Sequence, residues 1–272
     1  MKQNWKDSPN LNEGAWKRRA GGFTRLDLAT VVGLALLLGS WIGYSYLGER
    51  GRVARCTGNL NALGKAMHNY AGEHDEMLPP AAVNVEKYQT TWDLEVFTYL
   101  KPGLATESNT KLAQAVPHYF ACPSDRLPHS GTMRSYAMSS NDMTIQNWPP
   151  GADSATGVGL NWDKQTVSRL LNEDALKVPK LLPGIKLADI LAPAETVLLA
   201  EMIAPDNVLG KVQLASVSGT FQQRQSLPDG GAKFHYGRLN YLMVDGHVEW
   251  LSALQTGALD GKAGIWTLKK GD

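Results

Sequence analysis

Cysteine is scarce in this chain: Cys56 and Cys122 are the only two in 272 residues. Two thiols cannot staple a disulfide scaffold, and they lack the paired spacing of a zinc-binding sequence. A dominant charge is missing too. The formal net charge is +1, and the first 22 residues (Lys2, Lys6, Asp7, Glu13, Lys17, Arg18, Arg19) are themselves basic, so the chain from Leu28 onward is slightly acidic. No basic stripe remains to follow a phosphate backbone, which excludes nucleic acid as a partner. No nucleophile elbow, P-loop, zinc-binding helix or dinucleotide fingerprint occurs. The sequence therefore indicates no catalytic residues, no cofactor and no metal, and the chain reads as something other than an enzyme. Internal repeats and low-complexity tracts are absent as well.

Proline is also missing over a long stretch, from Leu26 until Pro79-Pro80. That stretch opens with Gly22-Phe23-Thr24-Arg25-Leu26-Asp27 and continues into an apolar run from Leu28 to Leu47. Roughly 20 apolar residues suffice to span a bilayer as a helix. A secretory signal would have a shorter apolar core with small residues after it; here Gly21 and Gly22 come before. Beyond the run, Val53, Cys56, Leu60, Leu63, Met67 and Tyr70 recur at spacings of three and four, one stripe of a helix. The pattern predicts one helix from about Thr24 to about Glu73, apolar all round in its first half and amphipathic in its second. Arginines flank the run on both sides (Arg18, Arg19 and Arg25 before; Arg50, Arg52 and Arg55 after), so charge alone orients it only slightly.

The remainder reads as an α+β head. Trp92 to Leu100 has helical spacing. Tyr119 to Cys122 and Ser135 to Met138 are expected as short strands, Val167 to Leu176 as a short helix, and Glu195 to Met202 as a buried strand. Asn141 to Gly159 is loop-like in composition, and Leu209 to Phe221 is ambiguous. Leu239 to Val244 and His247 to Leu251 flank Asp245-Gly246, a strong hairpin signal. A two-residue type I′ loop would pair Val244 with His247 and Leu242 with Glu249.

These segments together resemble the bacterial prepilin-like proteins related to the type II secretion pseudopilin G. The resemblance rests on Gly22 to Asp27; on Cys56-Thr57-Gly58-Asn59-Leu60 leading to Tyr70-Ala71 and Leu78-Pro79; and on Cys122-Pro123-Ser124-Asp125 with Ser135-Tyr136-Ala137-Met138. It rests further on Pro193-Ala194-Glu195-Thr196, and on His235 followed after nine residues by Asp245-Gly246. It departs from the family at Arg25, where an aliphatic residue is usual, and at Asp27, where Glu is usual. The resemblance implies a leader (1–22), a transmembrane half-helix (23–48), an amphipathic half-helix (49–76) and an exported head (77–272) whose antiparallel sheet packs on the helix. It implies cleavage by prepilin peptidase between Gly22 and Phe23, methylation of the new amine, and assembly with other pilin-like subunits through Asp27. The implied function is a pseudopilin or minor pilin of a type II secretion or type IV pilus-like fibre. The implied location is the bacterial inner membrane, single-pass, with the N-terminus cytoplasmic. The competing readings are a membrane-tethered module that binds a ligand such as a glycan, and a tethered enzyme using His235, Asp245 or Glu201.

Within that frame, His235, Asp245 and Gly246 are read as turn and structural residues. An extended chain would place His235 and Asp245 roughly 30 Å apart, too far for a local chelate. The alternative is a metal held through His235 or His247 with a distant carboxylate such as Glu201. Export into an oxidising space makes Cys56–Cys122 a candidate disulfide, against the alternative of two buried free thiols. Asp142, Asp153 and Asp163 lie in loop-like sequence but lack the ordered spacing of a calcium loop.

Overall fold

The structure is a computed structural model and describes residues 24–86, 88–101, 116–141, 157–171, 182–218, 234–257 and 264–268. Gly22 and Phe23 lie outside the described residues, as do Asp142 and Asp153. The chain divides into two compact units, Met1–Tyr46 and Leu47–Asp272.

Helix α1 covers Arg25–Glu73, 49 residues, and is long and apolar enough to cross a membrane. Its start is fixed by a reciprocal cap. The Thr24 backbone N–H and hydroxyl both donate to Asp27 Oδ2, at 2.9 and 2.7 Å, while the Asp27 N–H donates to Thr24 Oγ1 at 3.2 Å. In the first unit the side chains of Leu28, Val31, Leu34, Leu36, Leu37, Leu38, Trp41 and Ile42 are all exposed. An apolar surface on every face fits a helix that crosses a bilayer once, as a single-pass anchor does.

In the second unit the same helix is amphipathic, and beyond Val53, which is half-buried, the expected stripe is the buried one: Cys56, Leu60, Leu63, Met67 and Tyr70 are each at most 3% exposed. They share one core with Tyr136, Met138, Leu198, Leu242 and Val244. Gly64 lets the helix come close, since a Cβ there would sit 3.0 Å from Leu242 Cδ1. The helix ends before Pro79, because Asp75 and Glu76 adopt left-handed φ of 52° and 61° and the N–H groups of His74 and Glu76 both donate to Ala71 O.

Among the described residues, two sheets complete the α+β head. Strands β1 (Ala82–Val85), β2 (Tyr88–Thr91) and β4 (Asn161–Asp163) form one, in the order β2-β1-β4. Strands β3 (Tyr136–Ser139), β5 (Val197–Glu201), β6 (Ser216–Val217), β7 (Leu239–Met243) and β8 (Val248–Leu251) form the other, in the order β6-β3-β5-β7-β8. The sheets are mixed, not wholly antiparallel as expected, because β1 pairs parallel to β4 and β3 parallel to β6. Long crossovers separate both pairs in sequence, and such connections are what parallel neighbours require. Helix α2 (Trp92–Glu95) and a following 3₁₀ turn (Phe97–Leu100) occupy the predicted helical stretch, and α3 is Lys164–Leu171.

Two local expectations fail. Tyr119 to Cys122 is not a strand. Pro117 sits in the first turn of a 3₁₀ helix, Pro117–Phe120, where its fixed φ and missing N–H suit a helix start. The hairpin register is also shifted by one: Leu242 pairs with Val248 and Tyr241 with Glu249. Val244 is unavailable to His247, because its N–H donates to Thr196 O at 2.9 Å, while the Asp245 N–H donates to Pro193 O at 3.1 Å. The loop therefore has three residues, closed by Met243 N–H to His247 O at 2.8 Å. Only Gly246 in it is left-handed, with φ 96°.

Candidate functional site

The five-stranded sheet has two faces, and along β7 they alternate. Leu239, Tyr241 and Met243 belong to one core, with Val197, Ala200 and Trp266. Leu242 and Val244 belong to the core shared with α1. A register irregularity between Val197 and Leu199 sets the phase of β5. Leu199 then packs in the core shared with α1 and Ala200 in the other, so the alternation returns Glu201 to the α1 side.

Glu201 is fully buried, and β7 holds its carboxylate. The Asn240 backbone N–H donates to Oε2 at 2.7 Å and the Asn240 side-chain amide to Oε1 at 3.1 Å. Thr57 on α1 in turn donates to Asn240 Oδ1 at 3.2 Å. A buried carboxylate without such donors would be strongly unfavourable.

His235 approaches from the entry to β7 through an unusual corner. His235, Tyr236 and Gly237 have φ values of 46°, 61° and 78°, three consecutive left-handed residues of which only one is glycine. A non-glycine residue held there stores about 1–3 kcal/mol of strain. The corner turns the imidazole inward, where it is 0% exposed. Its Nε2 lies 3.0 Å from Glu201 Oε1 and 3.3 Å from Cys122 Sγ. Its Nδ1 lies 2.9 Å from Glu49 Oε1 and 3.4 Å from Ser124 Oγ. Ser124 donates to the same Glu49 oxygen at 2.8 Å, and Arg52 pairs with the other.

The Cys122-Pro123-Ser124-Asp125 segment forms the third wall. The Asp125 N–H donates to Cys122 O, and Ser135 bridges both ends: the Cys122 N–H donates to Ser135 Oγ at 3.0 Å and that hydroxyl donates to Asp125 Oδ2 at 2.8 Å. Cys56 completes the cluster from α1. Both cysteines are buried free thiols, not a disulfide. The ligand atoms of Cys56, Cys122, Glu201 and His235 all lie within 4.8 Å of one another.

The charge state follows from these contacts. Burial alone would lower the His235 pKa, but hydrogen bonding to Cys122 and Glu201 outweighs it and raises the value to about 11. The contact with Cys56, then burial, pushes the Cys122 thiol well above its usual range. His235 is thus held as an imidazolium with the neutral Cys122 thiol beside it.

Asp245 is not part of this cluster. It sits beyond the far end of β7, where Oδ1 accepts from the His247 N–H at 3.1 Å and lies 2.6 Å from His247 Nδ1. With Gly246 it borders a shallow groove of about 430 Å³ against Asn61, Gly64, Lys65, His68 and Asn69 of α1. Asp163 caps α3 through the Thr166 N–H at 2.7 Å. Asp27 serves the Thr24 cap.

Sequence reasoning does not single out Glu49, which sits beside Arg50 and Arg52 at the end of the apolar run. Its one signal is an acid in an otherwise basic stretch directly after the apolar run.

The family model described as "Protein of unknown function (DUF1559)" matches residues 49–233, and the chain belongs to that family. The family is typical of prepilin-like proteins with an N-terminal helix. The matched stretch contains Glu49, Cys56, Cys122 and Glu201 and stops just short of His235. No curated protein and no solved structure matches the chain.

Proposed function

We propose that this member of the DUF1559 family is a pseudopilin or minor pilin, a structural subunit of a type II secretion or type IV pilus-like fibre with no catalytic task. The observation that carries this reading is the division of labour along α1. One helix of 49 residues is exposed and apolar at its start and becomes the core stripe of a folded head at its end. That is the design of a subunit whose anchors can leave lipid and pack on one another while the heads stay folded. Prepilin peptidase would cut between Gly22 and Phe23, leaving the anchor in the inner membrane and the head exported. The methylated amine of Phe23 would then need a carboxylate, because an unpaired charge in a low-dielectric bundle costs several kcal/mol. Asp27 of a neighbouring subunit is the acid within reach.

One observation favours the second reading, a tethered binding module that never polymerises. Asp27 is already satisfied by Thr24 of its own helix. A cross-linking experiment separates the two. Cysteines engineered on the exposed anchor face should join subunits in membranes, and Asp27→Ala should greatly reduce the cross-linked fraction while Asp27→Glu retains it. Intact mass should confirm in each variant a chain that has lost residues 1–22 and gained one methyl group. Unchanged cross-linking in Asp27→Ala would remove Asp27 from assembly, and absent cross-linking in the parent would favour the tethered module.

A further inference from the structure

We propose that Cys56, Cys122, Glu201 and His235 form a buried binding site for one transition-metal cation of the zinc class. The argument begins with the donor set. Two thiols, an imidazole nitrogen and a carboxylate oxygen suit a borderline or soft cation and are wrong for calcium or magnesium, which take oxygen ligands. Geometry agrees. Bonds of about 2.0–2.3 Å in a tetrahedron give ligand-to-ligand edges of roughly 3.3–3.8 Å. Here Cys122 Sγ and His235 Nε2 are 3.3 Å apart, His235 Nε2 and Glu201 Oε1 are 3.0 Å apart, and no pair of the four exceeds 4.8 Å. A small outward movement accommodates a cation at the centre.

The surroundings argue more strongly. A metal-bound histidine commonly directs its other ring nitrogen to a carboxylate, which fixes the tautomer and raises ligand basicity. Glu49 takes that place on His235 Nδ1 at 2.9 Å, itself held by Ser124 and Arg52. The ligating carboxylate is likewise oriented, by both nitrogens of Asn240. A disulfide between Cys56 and Cys122 would use the sulfurs but would give no reason for the strained corner that turns His235 toward them.

All four ligands come from the protein and are buried, so the site is closed and its role is structural. The cation would tie α1, the Cys122 loop, the end of β5 and the entry to β7. Binding balances as follows: the cation replaces two thiol protons and the Nε2 proton, releasing three protons and leaving a neutral imidazole hydrogen-bonded to Glu49.

The test uses the full-length chain purified in detergent from zinc-supplemented cells without chelator. One equivalent of zinc is expected, with both thiols protected from alkylation until a chelator is added. After stripping under reducing conditions, Co(II) should bind with the visible bands of a tetrahedral thiolate site, and Zn(II) should abolish them. Cys122→Ser should eliminate those bands. Should that variant fail to fold, Glu49→Gln, which removes no ligand, decides: it should weaken Co(II) binding about 10–100-fold. A folded, reduced chain that shows no tetrahedral Co(II) spectrum overturns the proposal. So does a Glu49→Gln variant with unchanged affinity, or a Cys56–Cys122 disulfide that re-forms in the presence of excess Zn(II).

Discussion

The two ends of β7 carry the two halves of one sequence signature, yet they are different kinds of place. At the entry, His235 is wholly buried, bent through left-handed backbone and surrounded by Glu49, Cys122 and Glu201. At the exit, Asp245 is half-exposed and touches its own turn and His247, while Gly246 supplies one positive φ. Side-chain chemistry is invested at the first end and backbone geometry at the second. Nine residues of separation link them because five of those residues are the strand Leu239–Met243, which keeps the two ends apart.

The largest test of that contrast is Glu201→Ala. It leaves the Asn240 donors and the Nε2 side of the buried His235 without their acceptor, and removing one partner of a buried charged pair costs about 3–5 kcal/mol. Denaturant unfolding of the detergent-solubilised chain should register that loss, and a loss below that of any Asp245 substitution would erase the distinction between the two ends.

Gly246→Val comes next. A β-branched side chain at φ 96° is a steric outlier, with an expected cost of about 1–3 kcal/mol. Asp245→Asn should be mild by comparison, since Asn suits the same turn. If Asp245→Asn abolished function with an unchanged melting temperature, the exit end would be a chemical site after all.

The smallest effect is pH-dependent. Burial alone would raise Asp245 and lower His247, but their mutual hydrogen bonding wins, so Asp245 is lowered and His247 raised. The Asp245 contribution is present above its unfolded value and fades as pH falls through the lowered one. The His247 contribution is full below 6.5 and fades as pH rises through the raised value. The pair therefore supports the hairpin most in mildly acidic solution. Both side chains are more than a third exposed, so screening limits the contribution to about 0.2–1 kcal/mol. Comparing His247→Gln with the parent from pH 5 to pH 9 should show a small gap that closes toward alkaline pH; a gap that widens instead would contradict the sign.

The same contrast explains what could be read without coordinates. The helix was legible to within a residue at its start, because Thr24, the apolar run and the stripe from Cys56 to Tyr70 are all local patterns. The hairpin was legible in place and not in register. Asp245-Gly246 announces a turn, but the claim of Thr196 and Pro193 on Val244 and Asp245 comes from another strand. Tyr119 to Cys122 misled because its aromatics resemble a strand, while Pro117 had already fixed a helical start. The cluster was legible as two separate pairs, Cys56 with Cys122 as a candidate disulfide and His235 or His247 with Glu201 as the alternative metal pair, and nothing local indicated that the two pairs meet.

That convergence bears on how the molecule is made. His235 lies 186 residues from Glu49, 113 from Cys122 and 34 from Glu201. Contacts so distant along the chain form slowly and late. A polypeptide emerging from its N-terminus presents Cys56, Cys122 and Glu201 well before the imidazole exists. Because β7 pairs with β5 and carries β8 on its other side, the five-stranded sheet stays incomplete until that last stretch arrives. A chain interrupted before residue 235 therefore lacks β7 and β8 and leaves β5 as an unpaired sheet edge, a ready template for pairing with another chain.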